Sequence, residues 1–125
     1  MRPFINIVET SLSIVPVLYH GTCPSNADVL IENGWAPNLI AQGANMGQTR
    51  YLYLTTHPED ALWFAEQKGC SSIVEVRDVP IASLRVDPED GIADTVEDEI
   101  SNGFGLPGKL VLTKPLGADH FFLYR

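Results

Sequence analysis

Cysteine and positive charge are scarce in this chain, and nothing in it approaches the apolar run that spans a bilayer. Its cysteines, Cys23 and Cys70, do not form a Cys-x-x-Cys pair, which removes a dithiol redox motif and half of any zinc knuckle. They are expected as two reduced thiols that pack like small apolar side chains. His20, His57 and His120 do not complete a metal-ligand spacing with them. A Gly-x-x-x-x-Gly-Lys phosphate loop and a Gly-x-Ser-x-Gly nucleophile elbow are both missing, so P-loop and serine-hydrolase chemistry have no foothold. The opening MRPFINIVET carries Glu9 early and has no apolar core before a small-residue cleavage site. No signal peptide is therefore expected, and the cytoplasm is the expected location. Internal repeats, linkers and low-complexity tracts are also missing.

Eight lysines and arginines face sixteen acidic residues, for a net charge of -8. Nucleic-acid affinity rests largely on cations that neutralise phosphates, so an extended nucleic-acid surface is not expected. Neutral or basic partners fit the charge better, and a local basic pocket leaves small phosphorylated ligands open. The remaining composition is that of an ordinary globule: 45% hydrophobic and 19% charged in 125 residues, enough for one buried core and one domain spanning 1–125.

The stretch RYLYLTTHPEDALWFAEQKG, residues 50–69, is where architecture and chemistry meet. Tyr51, Leu52, Tyr53 and Leu54 alternate as a strand that packs one face and turns the other to a ligand. Thr56 and Glu59 fit a capping box, Pro58 sits in the first helical turn, and Ala61, Phe64 and Ala65 mark one helical face that Gly69 ends. Upstream, Phe4 to Val8 reads as an edge strand. Ser13 to His20 is a β-branched strand in which Pro16 implies an edge or a bulge. Ser25 and Asp28 suggest another capping box, with Asn33-Gly34 as the helix stop. Trp35 to Gln48 reads as an ordered loop of the kind that serves as a lid. Downstream come strands at Ser72 to Arg77 and Leu84 to Val86, an acidic helix from Ala93 to Ile100, and strands at Lys109 to Thr113 and His120 to Arg125. Strands with short interspersed helices make an α+β domain rather than a doubly wound one.

A single histidine is more often a structural hydrogen-bonder than a ligand. His20 rises above that because it closes a strand and precedes Gly21, whose bare backbone can approach a sugar hydroxyl or an amide. Tyr53, more often core in such a strand, would as a platform stack on a flat heteroaromatic ring; Tyr51, on the same face, is the other candidate. Asp87, Glu89, Asp90, Asp94, Glu97, Asp98 and Glu99 are mostly solvated surface, with room for one beside a sugar that develops positive charge.

Together, Tyr19-His20-Gly21-Thr22, Tyr53-Leu54-Thr55-Thr56 running into Ala61-Leu62-Trp63, Ile73-Val74-Glu75, Asp87-Pro88 and Thr113-Lys114-Pro115-Leu116 resemble the rifamycin-type ADP-ribosyltransferases. The likeness covers residues 17–116, with the motifs in that family's order. Tyr-His-Gly-Thr is shared with other NAD-dependent transferases; the aromatic strand-to-helix segment is more specific. The resemblance implies a PARP-like fold, with split antiparallel β-sheets around a sandwich-like core and short helices. It also implies a His-Tyr-Asp triad of His20, Tyr53 and Asp87. His20 would hydrogen-bond a ribose of NAD, the Gly21 backbone would hold the carboxamide, and Tyr53 would stack on nicotinamide. Thr22 and Thr55 join the NAD-binding set, and Asp90, Glu97 or Glu99 are alternatives for the acid.

The activity so implied is mono-ADP-ribosyl transfer from NAD to a small molecule, a protein or a nucleic acid. Residues 36–48 and 89–108 depart from a rifamycin-binding pattern, so the acceptor stays open among those classes. Two other readings share the scaffold. An RNA 2′-phosphotransferase would need arginines gathered on a phosphate, where this chain offers Arg50, Arg77, Arg85 and Lys109. A non-catalytic acidic interaction or inhibitor protein would need no turnover at all.

Overall fold

The computed structural model describes residues 13–37 and 51–125; the expected strand at Phe4 to Val8 and most of the expected lid lie outside them. The chain runs β1 (Ile14–Thr22), α1 (Pro24–Asn33), β2 (Leu52–Thr55), α2 (Pro58–Gln67), β3 (Ser72–Pro80), β4 (Leu84–Val86), α3 (Val96–Ile100), β5 (Lys109–Leu112) and β6 (Phe121–Leu123), with 3-10 turns at Ile81–Ser83 and Ala118–His120. The strands form one antiparallel sheet in the order β4-β5-β2-β1-β3-β6, so the α+β expectation holds.

Hydrogen bonding joins the strands into one sheet rather than two, but the sheet nearly divides. Between β1 and β2 the ladder shrinks to one pair, Tyr19↔Thr55, whereas β1 pairs with β3 from Ile14↔Pro80 to Thr22↔Ser72. One half is therefore β1, β3 and β6, the other β2, β5 and β4. Leu18, Val74, Val76 and Phe121 from the first half share a core with Leu52, Leu54, Leu110 and Leu112 from the second.

Pro16 acts as its chemistry requires. The β1–β3 ladder runs Val15↔Val79 and then Val17↔Arg77, with Asp78 at φ 55 on the skipped level. Pro16 has no N–H to place there, and Asp is among the residues that tolerate positive φ. The interruption shifts the inward phase by one, so Val15 and Leu18, three apart, are both buried.

Both expected capping boxes are absent, for a physical reason. α1 opens on Cys23 with Pro24 in its first turn, and no side chain caps it. In α2 the N-cap is His57, because the Thr56 hydroxyl is already engaged. Its Oγ1 accepts from the Gly108 N–H at 2.8 Å and lies 2.7 Å from His57 Nδ1. Glu59 and Asp60 still favour the start of α2 by facing its positive end. Gly34, at φ 74, ends α1 as expected, its N–H bonding Leu30 O at 2.8 Å.

Trp35, expected to open a loop, is instead core: 2% exposed and paired with Leu116 through both backbone bonds, at 2.9 and 2.8 Å. The acidic helix begins at Val96 rather than Ala93. Its N-cap Thr95 accepts from Asp98 N, while the N–H groups of Ile92 and Ala93 are held by Glu99 Oε1, both at 2.8 Å.

The expectation of two reduced thiols is overturned. Cys23 and Cys70 form a disulfide, with Cα atoms 5.1 Å apart across a separation of 47 residues. Antiparallel pairing of the end of β1 with the start of β3 brings Cys23 and Cys70 together just beyond Thr22↔Ser72. No helix among the described residues is long and apolar enough to cross a membrane.

Candidate functional site

A cavity of about 400 Å³ opens where β1 and β2 share their one pair. Tyr19, His20 and Gly21 from β1 form one wall, and residues 51–55 form the facing one. Ala61, Phe64 and Lys68 close it from α2 and its C-cap; Asp87, Glu89, Asp90 and Lys109 complete the rim.

α2 reaches this position because small residues meet on both sides of the contact. Ala61 and Ala65 are 1% and 0% exposed, and a Cβ on Gly21 would stand 1.7 Å from the Ala61 carbonyl oxygen. Gly21 thus lines the cavity with its backbone, but what excludes a side chain there is the helix. Phe64 and Lys68 follow Ala61 at helical spacing, which brings an aromatic ring and a cation to the same cavity.

His20 is braced across the gap. Its Nδ1 lies 2.7 Å from the carbonyl oxygen of Tyr53. A carbonyl only accepts, so Nδ1 carries the proton and Nε2 is left as a bare acceptor. Burial lowers the imidazole pKa to about 4, with the nearby Lys68 charge adding to the shift and the Tyr53 carbonyl opposing it. The ring is therefore neutral at pH 7. Because His20 resists protonation in the fold, acid favours the unfolded chain, whose histidine takes a proton near pH 6.5. Stability is full above pH 6.5 and falls as pH drops toward 4. Urea titrations at pH 7.5 and pH 5 should differ by about 2 kcal/mol on this account. His20→Gln should abolish that part of the difference.

Tyr53 is half-buried, neither lost in the core nor turned to solvent. Burial raises its pKa above the ordinary phenol value, and Glu89, Asp87, Tyr51 and Asp90 push the same way, so the hydroxyl stays protonated at neutral pH. Asp87 is 6% exposed. Its Oδ1 accepts from the N–H groups of Glu89 and Asp90 at 2.9 and 3.3 Å, which builds the turn.

His20, Gly21, Tyr53, Thr55 and Asp87 thus lie on one cavity, and Asp90 joins them. Thr22 does not line it: the residue is 1% exposed, and its Oγ1 has no hydrogen-bond partner. Glu97 and Glu99 also stand apart from it. Glu99 is a buried strut whose carboxylate accepts from Ile92, Ala93 and Lys109 N–H groups. Burial alone would raise its pKa, but those three bonds and the Lys109 charge outweigh that and lower it.

Sequence reasoning missed Lys68 and Lys109 as cavity residues, though the 61-64-68 spacing carries the signal for Lys68. Lys109 Nζ pairs with Asp60 Oδ2 at 3.2 Å and sits 4.7 Å from the centre of the Phe64 ring. Trp63 does not line the cavity; it is 54% exposed and its ring meets that of Phe64 edge to face. No cluster of three or more potential ligand side chains that could hold a metal occurs among the described residues.

Chemically, the cavity offers an aromatic platform, a neutral imidazole acceptor and a carboxylate in one largely apolar recess. Those groups suit binding a flat ring joined to a sugar. No protein-family model matches the chain, and no curated protein matches it.

Proposed function

We propose that this protein is an NAD-dependent mono-ADP-ribosyltransferase, with His20, Tyr53 and Asp87 as its site. The observation that carries the reading is the meeting of His20 and Tyr53 on one cavity, braced to each other by the Nδ1 bond. The cavity volume lies toward the small end for ligand sites, which suits the nicotinamide-ribose half of NAD with the rest across its mouth.

In this reading Nε2 of His20 accepts from a ribose hydroxyl, and Tyr53 stacks on the nicotinamide ring. Cleavage sends the electron pair of the carbon–nitrogen glycosidic bond to the ring, which leaves as neutral nicotinamide. Positive charge grows on the ribosyl carbon, where the carboxylate of Asp87 stabilises it. An acceptor lone pair then forms the new bond, and the acceptor's proton passes to Asp87 or to water. Glu89 and Asp90, which line the rim, add to the same negative field. Holding both ends of the substrate and excluding water supply much of the catalysis.

Two observations refine the proposal. Arg77 and Arg85 lie off the cavity, Arg50 lies outside the described residues, and Lys68 and Lys109 share the cavity with three carboxylates, so no arginine cluster supports an RNA 2′-phosphotransferase among the described residues. The Cys23–Cys70 disulfide belongs to the chemistry of an oxidising compartment and weighs against the cytoplasm.

The test is release of nicotinamide from NAD, followed by chromatography in the presence of candidate acceptors. Tyr53→Ala removes a stacking platform of about 1–3 kcal/mol and should lower release roughly 10- to 100-fold; His20→Ala should fall in the same range. Tyr53→Ala acting at the parent rate would remove the site. A parent that binds NAD but releases nothing with any acceptor would be a binding protein on this scaffold.

A further inference from the structure

The strand order β4-β5-β2-β1 sets opposite charges on different parts of the cavity: Asp87, Glu89 and Asp90 follow the edge strand β4, and Lys68 caps the helix packed on β1. At the His20 end stands Lys68, the C-cap of α2, near enough for its charge to reach the imidazole. At the Tyr53 end stand Asp87, Glu89 and Asp90, whose charges reach the phenol. The other cation on the wall, Lys109, is already matched by Asp60. Lys68 makes no ion pair among the described residues, and its side chain is exposed at the rim.

NAD likewise carries opposite charges on different parts. Its oxidised nicotinamide ring is a cation, and its diphosphate is an anion. Stacked on Tyr53, the ring lies beside the carboxylates; with its ribose on His20, the diphosphate runs toward Lys68. We propose that Lys68 holds the diphosphate of NAD, and that the Glu89–Asp90 rim selects the cationic oxidised ring over the neutral reduced one. This rests on the NAD reading above and adds to it a charge-based orientation and a redox-state preference. Both groups of residues are exposed, so their substitution spares the core.

Calorimetric titration of the full chain with NAD, NADH and ADP-ribose tests both halves. ADP-ribose keeps the diphosphate and lacks the ring. Lys68→Ala should raise the Kd for NAD and for ADP-ribose roughly tenfold, and Lys68→Arg should largely restore both. Glu89→Gln with Asp90→Asn should raise the Kd for NAD roughly two- to fivefold, leave ADP-ribose unchanged, and narrow the NAD-to-NADH ratio. Unchanged ADP-ribose binding by Lys68→Ala overturns the first half. Equal weakening of NAD and ADP-ribose by the acidic-rim variant overturns the second. A parent that binds neither ligand overturns the NAD reading itself, an outcome separate from a parent that binds both while Lys68→Ala changes nothing.

Discussion

Gly21→Ala is expected to leave little folded protein. The added Cβ would meet the Ala61 carbonyl oxygen at 1.7 Å and carbon at 2.7 Å, with the Ala65 nitrogen at 3.0 Å. These are helix backbone atoms with no flexible end to swing aside, so β1 and α2 must separate. Separation exposes Ala61 and Ala65 and dismantles the cavity wall that carries Phe64. The cost should exceed the roughly 1–3 kcal/mol of an ordinary overpacked core, a large share of a domain's typical 5–15 kcal/mol. Gly103 is the internal control, since a Cβ there meets nothing within 4 Å and its φ is not positive. Thermal melts by circular dichroism should show Gly103→Ala close to the parent and Gly21→Ala severely lowered or unfolded. A Gly21→Ala melt within a few degrees of the parent would refute the close strand–helix approach.

Loss of the Cys23–Cys70 bond should have the next largest effect. The bond closes a loop across 47 residues, and the chain-entropy model assigns such a closure about 4 kcal/mol. For a chain of this size that corresponds to a melting point lower by roughly 15 °C. The double substitution Cys23→Ser, Cys70→Ser should show the drop without added reductant. The parent should show it only with reductant, and the substituted protein should ignore reductant altogether. Equal melting of parent and double variant under non-reducing conditions would mean that the bond adds nothing to the fold.

What could be read from the sequence was local and periodic. The Tyr51-to-Gly69 strand-and-helix, the Gly34 stop, and the short strand at Leu84–Val86 follow from alternation, helical spacing and glycine. His20 and Tyr53 were legible because each closes or lines a strand beside a turn. What could not be read depends on distant partners. Thr56 fails as a cap because its hydroxyl serves Gly108, 52 residues away, and Glu99 looks like surface until Lys109, Ile92 and Ala93 surround it. Cys23 and Cys70 meet only because β1 and β3 run antiparallel in one register. Thr22 shares the phase of His20, yet two residues further along it has left the cavity for a buried position.

Among the described residues, the hydrogen bonding that joins β1 to β2 consists of the Tyr19↔Thr55 pair and the imidazole that spans from His20 to the Tyr53 carbonyl. On the proposed reading, a molecule gripped by both walls would add a third link where the ladder is reduced to one pair. Binding and resistance to separation of the two half-sheets would then rise together, although the core that both halves share also holds them.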